Sequence, residues 1–152
     1  MAHGEVVAAT QAVTPWKPAT VGPVGYTDLP LESHGLVLLD EVIAAAETAT
    51  GLRFSAYLGD LGTDTRATAE SLLDGLGADA PYAVLVAISP GQRAVEIVTG
   101  AAAARRLTDR GSRLAVLNVV SRAADGDLLG ALTNGIRTLA DQAGILPERS
   151  GW

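Results

Sequence analysis

Two aspartates, a serine and an arginine are spaced as a site would require. Asp60 sits in the loop Gly59-Asp60-Leu61-Gly62, directly after an alternating apolar segment, and Asp64 follows at the start of a helical pattern. Ser89 and Arg93 flank the turn Pro90-Gly91-Gln92. Paired carboxylates can hold a hard cation, calcium or magnesium, through oxygen ligands. An arginine can meet a phosphate oxygen. Open α/β sheets bind ligands beyond the carboxyl ends of their strands. If the two segments before these loops are parallel neighbours, Asp60, Asp64, Ser89 and Arg93 share one cleft. The competing reading is structural: a helix cap, a turn serine and a solvated arginine.

Other chemistries are poorly represented. The chain has no cysteine, which removes disulfides, thiolate nucleophiles and cysteine zinc sites. His3 and His34 are the only histidines and form no metal-binding pair. Neither a GxGxxG run nor a P-loop occurs. Asp125 and Asp127 around Gly126 fall short of an EF-hand loop and read as a helix cap. Eleven basic residues against 17 acidic ones leave a net charge of −6, which disfavours a nucleic-acid backbone as partner. Arg105-Arg106 is the densest basic pair and reads as an exposed helical face. No apolar run approaches the ~20 residues of a membrane span. The start Met1-Ala2-His3-Gly4-Glu5 shows no secretory pattern, so the default expectation is a cytoplasmic protein.

The elements that must position these residues follow from periodicity. Leu36, Leu39, Ile43, Ala46 and Thr50 keep a helical period, and Gly51 is placed to end that helix. Leu52, Phe54, Ala56 and Leu58 alternate as in a strand with one face buried more deeply. Thr63 or Asp64 caps a helix to about Gly77 that buries Ala69, Leu72, Leu73 and Leu76. Tyr82 to Ile88 is a continuous apolar run, as in a central strand covered on both faces. The turn at Pro90-Gly91 leads to a strand from Ala94 to Val98, making a hairpin. A short helix over 101–108 precedes a second over 112–124. Asp127 caps a last helix with core stripe Leu128, Leu132, Ile136, Leu139 and Ala143, closed by Gly144. A strand–helix–strand crossover is right-handed and makes a parallel pair. The expected fold is three-layer α/β/α with a mixed sheet of three or four strands. The domain spans 31–146, with a tail over 147–152. Residues 1–30, with Pro15, Pro18, Pro23 and Pro30, read as an extended arm pinned by Trp16 and Tyr26. Residues 5–11 could add a short edge strand, and a disordered tail is the alternative to the arm.

In outline the chain resembles the TPM domain family, which includes thylakoid-lumen repair phosphatases, and within it an uncharacterised actinobacterial branch. The resemblance covers about residues 28–143. It rests on Thr50-Gly51 before a strand, the apolar strand over 83–87, Arg93, Ile97 and Gly100 along the next, Leu107-Thr108-Asp109, and Gly126-Asp127 before the last helix. It implies Asp109 as a further metal ligand beside Asp60 and Asp64. The pattern departs from the family where acidic residues are common. Pro90-Gly91-Gln92 precede the hairpin arginine, and the run after Gly100 lacks a glutamate. Two readings of function follow. One is a non-catalytic binding module for a protein partner, acting through the proline-rich arm or the cleft. The other is a divalent-metal-assisted phosphatase, with Arg93 and Ser89 holding the phosphate and the metal activating water.

Overall fold

A computed structural model describes residues 33–144. The segments read as an arm and a C-terminal tail lie outside the described residues. Helix α1 runs from Ser33 to Thr50 and buries Gly35, Leu39, Val42, Ala46 and Thr50, a spacing of three and four that lines one face. Its end is built from two neighbours. The Thr50 hydroxyl donates to the Ala46 carbonyl at 2.7 Å and accepts the Leu52 N–H at 3.1 Å. Gly51 then takes φ 79°, a left-handed conformation that glycine adopts without steric cost.

Strand β1 covers Arg53–Leu58, helix α2 Thr65–Asp74, strand β2 Ala83–Ser89 and strand β3 Ala94–Thr99. The sheet order is β1-β2-β3 among the described residues. β1 and β2 are parallel, from Arg53 opposite Ala83 to Leu58 opposite Ile88. β2 and β3 are antiparallel, from Val84 opposite Thr99 to Ser89 opposite Ala94. The mixed sheet and its turn at Pro90-Gly91 therefore match the sequence reading. A strand over 5–11 would lie outside the described residues. Every residue of β2 is buried.

After β3 come α3 (Ala101–Ala104), α4 (Asp109–Ala124) and α5 (Leu128–Ala143). The layers are unequal. Helices α1, α5 and α4 lie on one face, with α5 in contact with both of the others. Val84, Val86, Ile88 and Ile97 meet Leu128, Leu132, Ile136 and Leu139 there. Burying each such side chain contributes roughly 1.5–3 kcal/mol. Helix α2 covers the other face, where Ala83, Leu85, Ala87 and Val98 meet Tyr57, Leu61, Ala69 and Leu73.

Several element ends depart from expectation, among them that of α3, which stops at Ala104 rather than at 108. α2 stops at Asp74, Leu76 is exposed rather than buried, and a 3-10 turn from Gly77 to Tyr82 follows, entered through Gly77 at φ 69°. Pro81 lies in that turn, so β2 starts only at Ala83 and Tyr82 is exposed. α4 begins at Asp109, three residues early, because the Thr108 hydroxyl accepts the Gly111 N–H at 2.9 Å and caps it.

Candidate functional site

The carboxyl edge of β1 and β2 brings together the loop after Leu58 and the turn after Ser89, because those strands are parallel and paired. The Gly59 N–H donates to the Ile88 carbonyl at 3.0 Å and locks the two loops side by side. Asp60, Ser89 and Arg93 are placed at this edge, and Asp64 starts α2 close by.

Each candidate already has a structural partner or faces solvent. The Asp60 carboxylate accepts the Gly62 N–H at 2.9 Å, and its carbonyl accepts the Tyr57 hydroxyl at 2.8 Å. Asp64 is the N-cap of α2 and accepts the Ala67 N–H at 3.0 Å. Ser89 is 2 % exposed and donates to the Gln92 side-chain oxygen at 2.7 Å. Arg93 takes φ 55° and ψ 44°, ends the 3-10 turn Pro90–Gln92 and is exposed.

Gln92 is the residue that sequence reasoning passed over. Its side-chain oxygen accepts both the Leu61 N–H and the Ser89 hydroxyl at 2.7 Å, and its amide nitrogen donates to the Gly62 carbonyl at 2.6 Å. It thereby takes up the Leu61 N–H and the Gly62 carbonyl of the loop after β1. In the sequence it stands only as a polar residue at the end of a tight turn. Ser89 is a local partner, but Leu61 and Gly62 lie about thirty residues away and become neighbours only through the parallel pairing.

Asp109 is not brought to this edge. β3 runs back to Thr99, which pairs with the start of β2 at Val84, and α3 and the N-terminus of α4 follow from that opposite end. Arg106 fixes the location. Its guanidinium donates to the Thr50 carbonyl at 3.0 Å, at the end of α1, and to the Ala143 and Gly144 carbonyls at the end of α5. The set Asp60, Asp64 and Asp109 therefore does not converge. Among the described residues no group of three or more His, Asp or Glu side chains is placed to hold a metal ion. Arg106 also corrects the reading of Arg105-Arg106 as an exposed pair, since only Arg105 is exposed.

The helical face carries a different feature. Between α1 and α5 lies a groove of about 410 Å³, lined by Leu38, Val42, Ala45 and Ala49, with Glu41, Arg137 and Asp141 as its charged residues. On the same layer Val37, Leu38, Leu114 and Leu117 are exposed. No helix among the described residues is long and apolar enough to cross a membrane.

The family model for a domain of unknown function, DUF5130, matches residues 5–140. The chain belongs to the DUF5130 family. Two uncharacterised proteins of Mycobacterium tuberculosis, Rv2468c of strain H37Rv and MT2543 of strain CDC 1551, are each 35% identical over 157 residues, covering 97% of this chain and 92% of theirs. These relatives are actinobacterial, and the family match overturns the expected membership of the TPM family. The reason is visible in the motifs that suggested it. Thr50-Gly51, Thr108-Asp109 and Gly126-Asp127 are helix ends and caps, with Asp127 accepting the Gly130 N–H at 2.9 Å. Such residues specify where helices stop and start, which unrelated families can share. Two solved structures have the same fold. The BA42 protein of Bizionia argentinensis superposes with a TM-score of 0.69 at 13% identity, over 82% of this chain and 91% of that one. The N-terminal domain of cg2496 from Corynebacterium glutamicum gives 0.65 at 14% identity, over 90% and 94%.

Proposed function

We propose that this DUF5130 chain is a non-catalytic interaction module that binds a protein partner through the outer face of its helical layer. The observation that carries the reading is the groove between α1 and α5, together with the exposed leucines of α4. Outer helical positions ordinarily carry polar residues, and grouped apolar ones mark contact surfaces. The carboxyl edge of the sheet points the same way by contrast. There Gln92 bonds to the loop after β1, and Asp60 and Asp64 bond to backbone N–H groups of their own segments. Metal-assisted phosphoryl chemistry would need those carboxylates to converge on one point, and no observation favours it.

The test compares two substitutions in the full chain. Leu117→Ser should abolish recovery of a specific partner from the native cell extract, while Asp60→Asn should leave it intact. Turnover of p-nitrophenyl phosphate should be absent with calcium, with magnesium and with chelator. A metal-dependent rate that Asp60→Asn removes would replace this reading with the hydrolytic one.

A further inference from the structure

Helix α4 is unlike its surroundings in charge. Over Asp109–Ala124 it holds Arg110, Arg113 and Arg122 against the single acid Asp109, within a chain of net charge −6. The buried stripe of α4 is Gly111, Ala115, Val119 and Ala123. At 3.6 residues per turn its opposite side carries Arg110, Arg113, Leu114 and Leu117. Leu117 is 64 % exposed. Arg110 and Arg113 are exposed, and among the described residues neither has an ion-pair partner. Arg53, Arg66 and Arg122, by contrast, are paired with acids.

Helix α1 is the complement. Its buried side holds Leu39, Val42 and Ala46, so its outer side presents Val37, Asp40, Glu41 and Ala44. Val37 is 56 % exposed. One helix therefore offers apolar residues between arginines, and the other offers an apolar residue beside carboxylates. The groove, whose charged residues are Glu41, Arg137 and Asp141, runs along α1. Both helices pack against α5 and turn their buried stripes to the core, so these surfaces lie on the outer side of the layer.

We infer that the groove between α1 and α5 receives α4 of a second copy of this chain. The inference rests on the reading of the helical layer as a binding surface and names its occupant. A two-fold axis lying in the interface along the helices places α1 of each copy over α4 of the other. Both grooves are then filled at once and the contact closes on itself. Leu114 and Leu117 of one copy lie over Leu38, Val42 and Ala45 of the other, and Arg113 faces Glu41. Pairing α4 with α4 would set both Arg110 and Arg113 against their own copies, whereas this arrangement sets only Arg137 of α5 near its own copy. Three helices about 10 Å wide and ~25 Å long present a face near the ~800 Å² per partner that stable interfaces bury. An anionic membrane fits less well, because the remainder of the chain is acidic.

Sedimentation of the full-length chain tests this, with circular dichroism confirming that each variant is folded. The wild type should show a concentration-dependent dimer, weakened by added salt. Leu117→Ser should be monomeric. Arg113→Glu and Glu41→Arg should each raise the dimer Kd about tenfold, and the double variant E41R/R113E should recover affinity, since the swapped charges again face each other. A wild-type chain that stays monomeric overturns the inference, as does a double variant no better than the single ones. So does binding to vesicles containing anionic lipid that Leu117→Ser abolishes. If the chain is monomeric but Leu117→Ser still loses a partner from extract, the interaction module stands and self-pairing falls. If neither changes, both fall.

Discussion

The side-chain oxygen of Gln92 accepts the backbone N–H of Leu61 at 2.7 Å across 31 residues of sequence, tying the β2–β3 turn to the loop after β1. The same oxygen accepts the buried Ser89 hydroxyl, and the amide nitrogen reaches the Gly62 carbonyl. Gln92→Ala strands these groups at a partly buried edge. Leaving a buried donor or acceptor unsatisfied costs about 1–3 kcal/mol. Urea denaturation should register a loss of that size. A midpoint equal to wild type would mean that water replaces the amide without penalty.

Arg106 holds three main-chain carbonyls, from Thr50 at the end of α1 and from Ala143 and Gly144 at the end of α5. A cation at two helix C-termini is favoured by their dipoles, and its planar fork suits more than one acceptor. Arg106→Ala should destabilise by roughly 1–3 kcal/mol, hydrogen bonds to charged groups being the stronger kind. Arg106→Lys keeps the charge and should recover only part of the loss. The exposed neighbour supplies the control, since Arg105→Ala should change stability by no more than ~0.5 kcal/mol. Thermal melts of the three variants check the ranking.

Legibility in the sequence depended on the range of the interaction. The helix of Leu128, Leu132, Ile136 and Leu139, its Asp127 cap and the Gly51 stop are local patterns, and each is found where periodicity and cap chemistry place it. The parallel pairing of β1 and β2 followed from handedness, and with it the nearness of Asp60 to Ser89. What the local pattern could not carry was the use of each side chain. Whether Asp60 faces a cleft or its own Gly62 N–H depends on a loop conformation, and Gln92 finds partners thirty residues away. Asp109 entered through a resemblance built on capping residues, and those locate helix ends without saying which edge of the sheet they serve. The outward leucines of α4 were read only as part of a helical run. Sorting the inner from the outer face needed the packing of α4 against α5 and β3.

Gly100 is required by a close approach. A Cβ there would lie 1.9 Å from the Ala80 carbonyl oxygen and 2.6 Å from the Pro81 carbonyl carbon. Both are backbone atoms, so no flexible side chain can give way. The Gly100 N–H also donates to the Ala83 carbonyl at 2.9 Å, so the strand end cannot simply move off. Gly100→Ala should cost about 3 kcal/mol or more, the upper range for overpacking. Gly77→Ala has open space around its Cβ and only a φ of 69° to accommodate. It should cost about 1–2 kcal/mol, the penalty of a left-handed residue bearing a Cβ. Similar losses for the two, measured by chemical denaturation, would show that the 3-10 turn from Gly77 to Tyr82 yields when crowded.

The carboxylates at the sheet edge make a prediction about cations. A site that bound calcium or magnesium would raise stability by ~2.7 kcal/mol at a hundred times its Kd, through linkage to the folded state. Asp60 and Asp64 each accept a backbone N–H of their own segment, and Asp109 lies toward the opposite end of the sheet. Millimolar calcium, magnesium or chelator should therefore leave the melting temperature unchanged. The substitutions should separate by local role. Asp60→Asn retains an oxygen for the Gly62 N–H and should stay within ~0.5 kcal/mol of wild type. Asp64→Ala removes the cap of α2 and should lose about 0.5–2 kcal/mol, with or without a cation. A calcium-dependent rise in melting temperature that both Asp60→Asn and Asp64→Asn abolish would show that the two carboxylates act as a cation site.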